Sequence, residues 1–244
     1  MPIVASIILP SLRPERLEEC LQSIDQYTAG IDYEVIVVSP FDVKPHPNVV
    51  HIKEDDPGGT VKATALGFQY VRGEYVITMS DDCRVTAHWL ANMIAFMRPH
   101  DKEIFEGGFV HVALSGRYHP GGVARPSYCG KEFATLPCIR KDKAELIGGF
   151  FDYPYYQNWY GDPDLSLRVY RAGGTVAICP NAQILVSQNA PGDRINKENR
   201  EKYYKRDSAA FKERWGTTVL TPKSSVSWPM GFSKQPSAQE NKAY

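Results

Sequence analysis

An α/β fold built on a doubly wound parallel sheet is predicted by three observations. Short apolar runs alternate with helical patterns over the first eighty residues, as in chains whose strands are joined by crossover helices. One such run, Tyr75-Val76-Ile77-Thr78-Met79, leads directly into Ser80-Asp81-Asp82. Carboxylates at the end of a buried strand emerge at the mouth of such a sheet, where its ligands bind. The 244 residues, 43% of them hydrophobic, suffice to bury one sizeable core.

The elements follow in order. Ile3 to Leu9 is an apolar run ending at Pro10, and Pro14 to Tyr27 carries a helical stripe at Leu17, Leu21 and Ile24. Tyr33 to Val38 and Val49 to Ile52 read as the second and third strands. Gly58-Gly59 introduces a helix through Val61, Ala65, Phe68 and Val71, stopped at Gly73, and Tyr75 to Met79 is the fourth strand. Regularity weakens after residue 84. Thr86 is placed to cap a helix through Trp89, Leu90, Met93, Ile94 and Met97 that Pro99 ends. Ile104 to Leu114 is strand, His119 to Pro126 a Gly/Pro-rich loop, and Leu136 to Arg140 another strand followed by a short helix into Gly148-Gly149-Phe150. A helix from Asp162 ends at Gly173-Gly174, with strands at Val176 to Cys179 and Ile184 to Val186. Asn196 to Trp215 is a long polar helix. The tail beyond Pro222 is rich in Ser, Pro, Lys and Gln, with Trp228, Met230 and Phe232 as its large apolar groups.

Charge and composition exclude some classes. Twenty-eight basic and 28 acidic residues give a net charge of zero, so bulk electrostatics predict no nucleic-acid partner. Cys20, Cys83, Cys129, Cys138 and Cys179 are odd in number and show no CxxC spacing, which fits reduced thiols in the cytoplasm. No run approaches eighteen apolar residues, and no basic region followed by an apolar stretch opens the chain. The expectation is a cytoplasmic protein, with peripheral contact to the inner face of a membrane left open, as is oligomerisation.

Two acidic clusters carry the chemistry. A hard divalent cation such as Mg or Mn binds one or two carboxylates together with substrate phosphates, and Asp81 and Asp82 are suited to it; they are equally suited to capping the following turn. In Gly161-Asp162-Pro163-Asp164 the two acids lie two apart, so on a helix they point in different directions. One can face a cleft while the other pairs with Arg168, and a helix-start cap with Pro163 in the first turn is the plainer alternative. Before this cluster, Phe150 to Tyr160 holds seven aromatic rings in eleven residues, including Trp159 and Tyr160. These suit stacking on a sugar face, or a loop folded on its own rings. His111 and His119 are weak candidate ligands.

These motifs, in this order, resemble glycosyltransferase family 2. The resemblance rests on Ser6-Ile7-Ile8-Leu9-Pro10-Ser11, Tyr33 to Val38, Arg72-Gly73-Glu74-Tyr75-Val76 running into Ser80-Asp81-Asp82, Gly148-Gly149-Phe150, Gly161 to Arg168 with Arg171-Ala172-Gly173, and Phe211 to Gly216. It implies a GT-A fold, a single domain over residues 1–221 with a mixed central sheet. Residues 1–84 would form a nucleotide-sugar-binding half and 85–221 an acceptor-binding half, with 222–244 a polar tail. It implies inverting transfer of a single sugar from a nucleoside-diphosphate sugar, assisted by Mn or Mg, to a glycan or lipid-linked saccharide. Asp82 then stands at the metal-binding acid and Asp162 at the catalytic base. Pro10, Ser11, Ser39, Asp56, Lys62, Ser80 and Asp81 fall on the donor side. Gly149, Trp159, Tyr160 and Asp164 fall on the acceptor side.

The chain departs from the pattern in several places. Ser39 replaces an acid that reads the base, Ser80 the first acid of its motif and Gly161 a Glu. Ala63-Thr64-Ala65 stands for Ala-Arg-Asn, and Val186-Ser187 lacks a histidine. Phe211 occupies the Gln position of the QxxRW motif of processive synthases, so single-residue transfer is expected. The alternatives are a non-catalytic sugar-nucleotide or glycan-binding protein and, since Pro10 to Pro14 lacks a Gly-rich loop, less readily a sugar nucleotidyltransferase.

Overall fold

The computed structural model describes residues 2–113, 127–128, 131–186 and 194–216. His119, the loop to Pro126, Cys129, Ser187 and the tail lie outside them. The strands are β1 (Ala5–Pro10), β2 (Tyr33–Ser39), β3 (Val49–Lys53), β4 (Tyr75–Thr78), β5 (Cys83–Val85), β6 (Phe105–Ala113), β7 (Ser127–Tyr128), β8 (Lys131–Glu132), β9 (Cys138–Arg140) and β10 (Thr175–Val186). The helices are α1 (Pro14–Tyr27), α2 (Thr60–Phe68), α3 (Trp89–Met97), α4 (Lys141–Leu146), α5 (Gly161–Arg171) and α6 (Arg194–Trp215).

One mixed sheet runs β3-β2-β1-β4-β9-β6-β10-β5, and β7 pairs with β8 apart from it. β1 to β4 are mutually parallel through the crossover helices α1 and α2. β9 runs antiparallel between β4 and β6, and β5 antiparallel to β10 at the edge. Both faces are covered, which is why β1 reads as an unbroken apolar run rather than an alternating one. Ile7 and Leu9 pack with Leu17, Ile24, Trp89 and Met93 of α1 and α3. Ile8 turns to the opposite layer with Val61, Leu165, Phe211 and Trp215 of α2, α5 and α6.

Three local expectations change. Thr86 does not cap α3: its hydroxyl donates to the Gln183 carbonyl at 2.9 Å, and His88 holds the cap position in a left-handed conformation. β10 is one strand rather than two, with a register shift between Cys179 and Gln183 where Pro180 interrupts the ladder. The three-residue β5 lies inside a stretch read as turn, because so short an edge strand is defined by its partner β10 rather than by its own pattern.

The second layer is organised by a buried carboxylate. Asp164, fully buried, accepts from Arg168 Nε at 2.8 Å, Arg214 Nη1 at 2.9 Å, Trp215 Nε1 at 2.9 Å and the Tyr156 hydroxyl at 3.2 Å. Arg168 in turn donates to the carbonyls of Ile147, Gly149 and Phe150. Burial alone pushes the Asp164 carboxyl up, but the two guanidinium groups win and hold it below the usual carboxylate range. α5, α6 and the Gly148-Gly149 turn are thereby tied to one point.

Replacing Asp164 with Ala leaves the buried Arg168 guanidinium without its carboxylate and Arg214 with Asp152 alone, and should cost about 3–5 kcal/mol in urea unfolding. A loss below about 1 kcal/mol, the worth of a surface pair, would contradict that role.

Candidate active site

A cleft of about 360 Å³ opens where the C-terminal ends of β1 and β4 meet the loop before α5. Its walls include Ser11 and Arg13 after β1, Glu54 after β3, Ser80, Asp81 and Asp82 after β4, and Trp159, Tyr160 and Asp162 at the start of α5. Asp82 and Asp162, eighty residues apart in sequence, face the same space.

The two neighbouring acids of the first cluster differ in state. Asp81 is buried and saturated: Ser11 Oγ donates to it at 2.8 Å, Arg13 Nε at 3.1 Å, and Arg13 Nη2 bonds its second oxygen. Asp82 is half-buried, and its carboxyl accepts from Ser80 Oγ at 2.5 Å, with the Cys83 thiol at 3.9 Å. No cation pairs with it among the described residues. The cleft is lined by four carboxyl groups and one guanidinium, that of Arg13. A diphosphate entering it meets net repulsion unless a cation accompanies it. No group of three or more His, Cys, Asp or Glu gathers for a metal among the described residues. What fits is therefore a cation sharing its shell between Asp82 and substrate phosphates.

The divergence of the second pair is as its spacing requires. Asp164 turns inward to Arg168 and Asp162 turns to the cleft. Burial pushes the Asp162 carboxyl up to about 7, the range in which a carboxylate can serve as a general base near neutrality. Tyr160, its N-terminal neighbour but one, has φ of 68°, and Leu136 across the cleft has φ of 52°. Left-handed backbone at bulky residues costs of order 1–3 kcal/mol and concentrates at functional sites. Gly161 fills the place of a Glu for a steric reason: a Cβ there would sit 2.9 Å from the Phe151 ring.

The aromatic stretch divides between its two readings. Phe150 and Tyr156 are buried in the core, whereas Phe151, Trp159 and Tyr160 reach the cleft. Asp207 of α6, fully buried, holds this loop by accepting from the backbone N–H groups of Gln157, Asn158 and Trp159 at 2.8–3.1 Å.

Pro10, Ser11, Ser80 and Asp81 lie on the cleft wall with Asp82, Asp162, Trp159 and Tyr160. Several other expected site residues do not. Asp164 serves the buried network, and Gly149 supplies a carbonyl to Arg168 at 2.7 Å away from the cleft. Ser39 is buried, its hydroxyl donating to the Phe41 carbonyl at 2.8 Å beside His51 Nε2 at 3.0 Å. Lys62 turns to Asp56, whose side chain is 96% exposed. His111 sits beside Thr135 Oγ1 at 3.2 Å; burial holds its pKa down, and it does not line the cleft. Sequence reading missed Arg13, Glu54, Asn158, Ile195 and Asn199 on the wall. Of these only Arg13 and Glu54, charged residues directly after strand ends, carried a signal.

Residues 6–118 match the sequence profile described as Glycosyl transferase family 2. Comparison with curated protein sequences gives no significant match. Among solved structures, a mannosyltransferase from Pyrobaculum calidifontis, PcManGT in complex with GDP-Man and Mn2+, superposes with a TM-score of 0.64 at 18% identity, over 86% of this chain and 65% of that one. S. aureus TarS, residues 1–349, gives 0.63 at 14% identity over 86% and 66%. GalNAc-T7 with UDP, GalNAc and Mn2+ gives 0.61 at 14% identity over 92% and 52%. The chain thus spans about half to two thirds of the length of these proteins. The first half of the chain thus matches the profile of glycosyltransferase family 2, and the chain as a whole shares the GT-A fold of these glycosyltransferases.

The raised Asp162 carboxyl has a consequence for stability. Between the ordinary Asp value of 3.8 and about 7 the native state holds a proton that the unfolded chain releases, so this group lowers stability as pH rises through that window. Asp162→Asn removes the effect. Its melting temperature relative to the parent should climb from pH 4.5 to pH 8, and a constant difference would show that the carboxyl is not raised.

Proposed function

We propose that the protein is an inverting glycosyltransferase that moves one sugar from a nucleoside-diphosphate sugar to a hydroxyl of a glycan or lipid-linked saccharide. The observation that carries this reading is that Asp82 and Asp162, eighty residues apart in sequence, line one cleft. Three neighbours of the same fold are described with a nucleotide or nucleotide sugar (GDP-Man, UDP or UDP-GlcNAc), two of them also with Mn2+.

The donor is assigned to the β1–β4 side. Its diphosphate lies against Asp82, where a bound Mg or Mn would neutralise the phosphate oxygens and stabilise charge on the leaving group. Asp81, already neutralised by Arg13, holds the β1 and β4 loops together instead of binding the cation directly. Glu54 at the end of β3 is the acid available to the nucleoside in the region where Ser39 is buried.

Asp162 takes the proton from the acceptor hydroxyl as its oxygen attacks the anomeric carbon. The bond from that carbon to the diphosphate oxygen breaks on the opposite face, and its electron pair leaves with the phosphate. A single base on one side and the leaving group on the other produce inversion. Trp159 and Tyr160, directly before Asp162, offer ring faces to the acceptor sugar.

Asp162→Asn keeps the shape of the side chain and removes the base. Transfer in the full chain should fall by roughly 10²–10⁴-fold while nucleoside-diphosphate binding in Mn2+ survives. Turnover near that of the parent would remove Asp162 from the mechanism; donor binding without transfer in the parent itself would favour a binding protein. For the parent, kcat/KM should rise with pH to a plateau above about 7, the value to which burial pushes Asp162. Asp82→Ala should abolish the Mn2+ dependence of nucleotide binding in calorimetry, and an unaltered dependence would place the cation elsewhere.

A further inference from the structure

One end of the cleft holds an acid that neither the cation nor the proton transfer uses. Glu54 lies directly after β3, and Asp82 follows β4. The sheet order β3-β2-β1-β4 sets these strand ends three places apart, about 14 Å at the spacing of neighbouring strands. That is close to the reach of an extended nucleoside diphosphate, from its phosphates to the outer edge of its base. The Glu54 N–H donates to the Ser39 carbonyl at 3.0 Å, which continues the register of β3 on β2. Pro10, Val38, Pro57 and Val61 line the cleft with it. An apolar slot ending in one carboxylate suits a flat ring that carries its donors on one edge.

This carboxylate is short of donors. Glu54 is only 5% exposed, yet its Oε1 accepts from the Gly58 N–H at a long 3.4 Å. The Lys62 ammonium stands 3.9 Å away and turns to Asp56. Oε2 accepts no hydrogen bond among the described residues. Burial pushes the Glu54 carboxyl up, and Gly58 and Lys62 offset only part of that. Asp81, Asp164 and Asp207, equally enclosed, each accept three or more hydrogen bonds. Glu106, a second poorly paired acid, does not line the cleft.

The chemistry of the bases then decides which nucleotide fits. An ionised carboxylate only accepts, and two adjacent donors match its two oxygens. Among the common bases guanine alone offers such a pair on one edge, N1–H and the 2-amino group. Uracil and thymine place one N–H between two carbonyls, and adenine and cytosine set an amino group beside a bare ring nitrogen. We propose that Glu54 is the specificity-determining residue of the donor site and that it selects a guanosine-diphosphate sugar. Resting on the transfer reading above, this assignment adds the identity of the donor base. Any other base leaves a carboxylate oxygen facing an acceptor, and an enclosed acceptor without a donor is costly. A protonated Glu54 would present a donor beside an acceptor and match uracil, which makes UDP the decisive competitor.

The test is calorimetry on the full chain in Mn2+ with GDP, IDP, UDP and pyrophosphate. IDP isolates the contact, since its base keeps N1–H and O6 and lacks only the 2-amino group. The parent should bind GDP roughly tenfold or more tightly than IDP or UDP, the worth of one hydrogen bond to a charged group. Glu54→Gln keeps the shape of the side chain and turns one acceptor into a donor. It should weaken GDP by a similar factor and make GDP and IDP nearly equal. Pyrophosphate, which reports the Asp82 end alone, should bind the variant as it binds the parent.

The ranking of nucleotides by the parent decides the matter even if the variant fails to fold. Equal affinity for GDP and UDP would overturn the proposal, and so would equal affinity for GDP and IDP. A Glu54→Gln protein that keeps the full preference for GDP would place the reading of the base on other residues. Preference for UDP that fades as pH rises would assign Glu54 to uracil as a protonated acid. Binding of every nucleotide without preference sinks only the base assignment, whereas binding of none sinks the transfer reading with it.

Discussion

The ion pair between Asp164 and Arg168 is the constraint from which the α5 side of the cleft follows. Two residues after the cleft-facing Asp162, Asp164 is sealed in the core and engages Arg214 and Trp215 of the last helix as well. Arg168 carries the same anchor to the carbonyls of the Gly148-Gly149 turn. The first turn of α5 cannot rotate without breaking a fully buried charge network. A buried pair of this kind adds little net stability compared with apolar packing, but breaking it is expensive. Its effect here is positional: it fixes where Asp162 points.

A similar division holds at the β4 end of the cleft. Asp81 and Asp82 are adjacent in the turn between β4 and β5, and their carboxyl groups take different partners. One is consumed by Ser11 and Arg13, joining the ends of β1 and β4, and the other keeps acceptor lone pairs towards the cleft. In both clusters one acid is held by its neighbours in the fold and the other faces the cleft. The departures from the family pattern fit this economy. Gly161 makes room for Phe151, and Ser80 supplies the hydroxyl that orients Asp82.

Much of this was legible in the sequence, for identifiable reasons. β1, β2, β4 and α1 follow from local pattern, since a strand covered on both faces reads as an unbroken apolar run and an amphipathic helix as a stripe, whichever distant residues cover them. The divergence of Asp162 and Asp164, and the Arg168 partner, follow from helical spacing alone. What escaped depends on distant residues. Nothing near Asp207 signals that it will accept three backbone N–H groups some fifty residues away, and Arg214 meets Asp164 across fifty. The same blindness put Gly149, Asp164, Ser39, Asp56 and Lys62 in the site, because family position does not say which way a side chain turns. β5 exists only through its pairing with β10.

In the proposed transfer, one base and one leaving group are held on opposite faces of a sugar by Asp162 and Asp82. The most direct measurement is the configuration of the sugar first released when the protein hydrolyses a UDP- or GDP-sugar in Mn2+, followed by proton NMR before mutarotation. The account predicts the anomer opposite to that in the donor. Release of the donor's own anomer would require a second displacement or front-face attack, for which this pair of carboxylates has no role, and would contradict it.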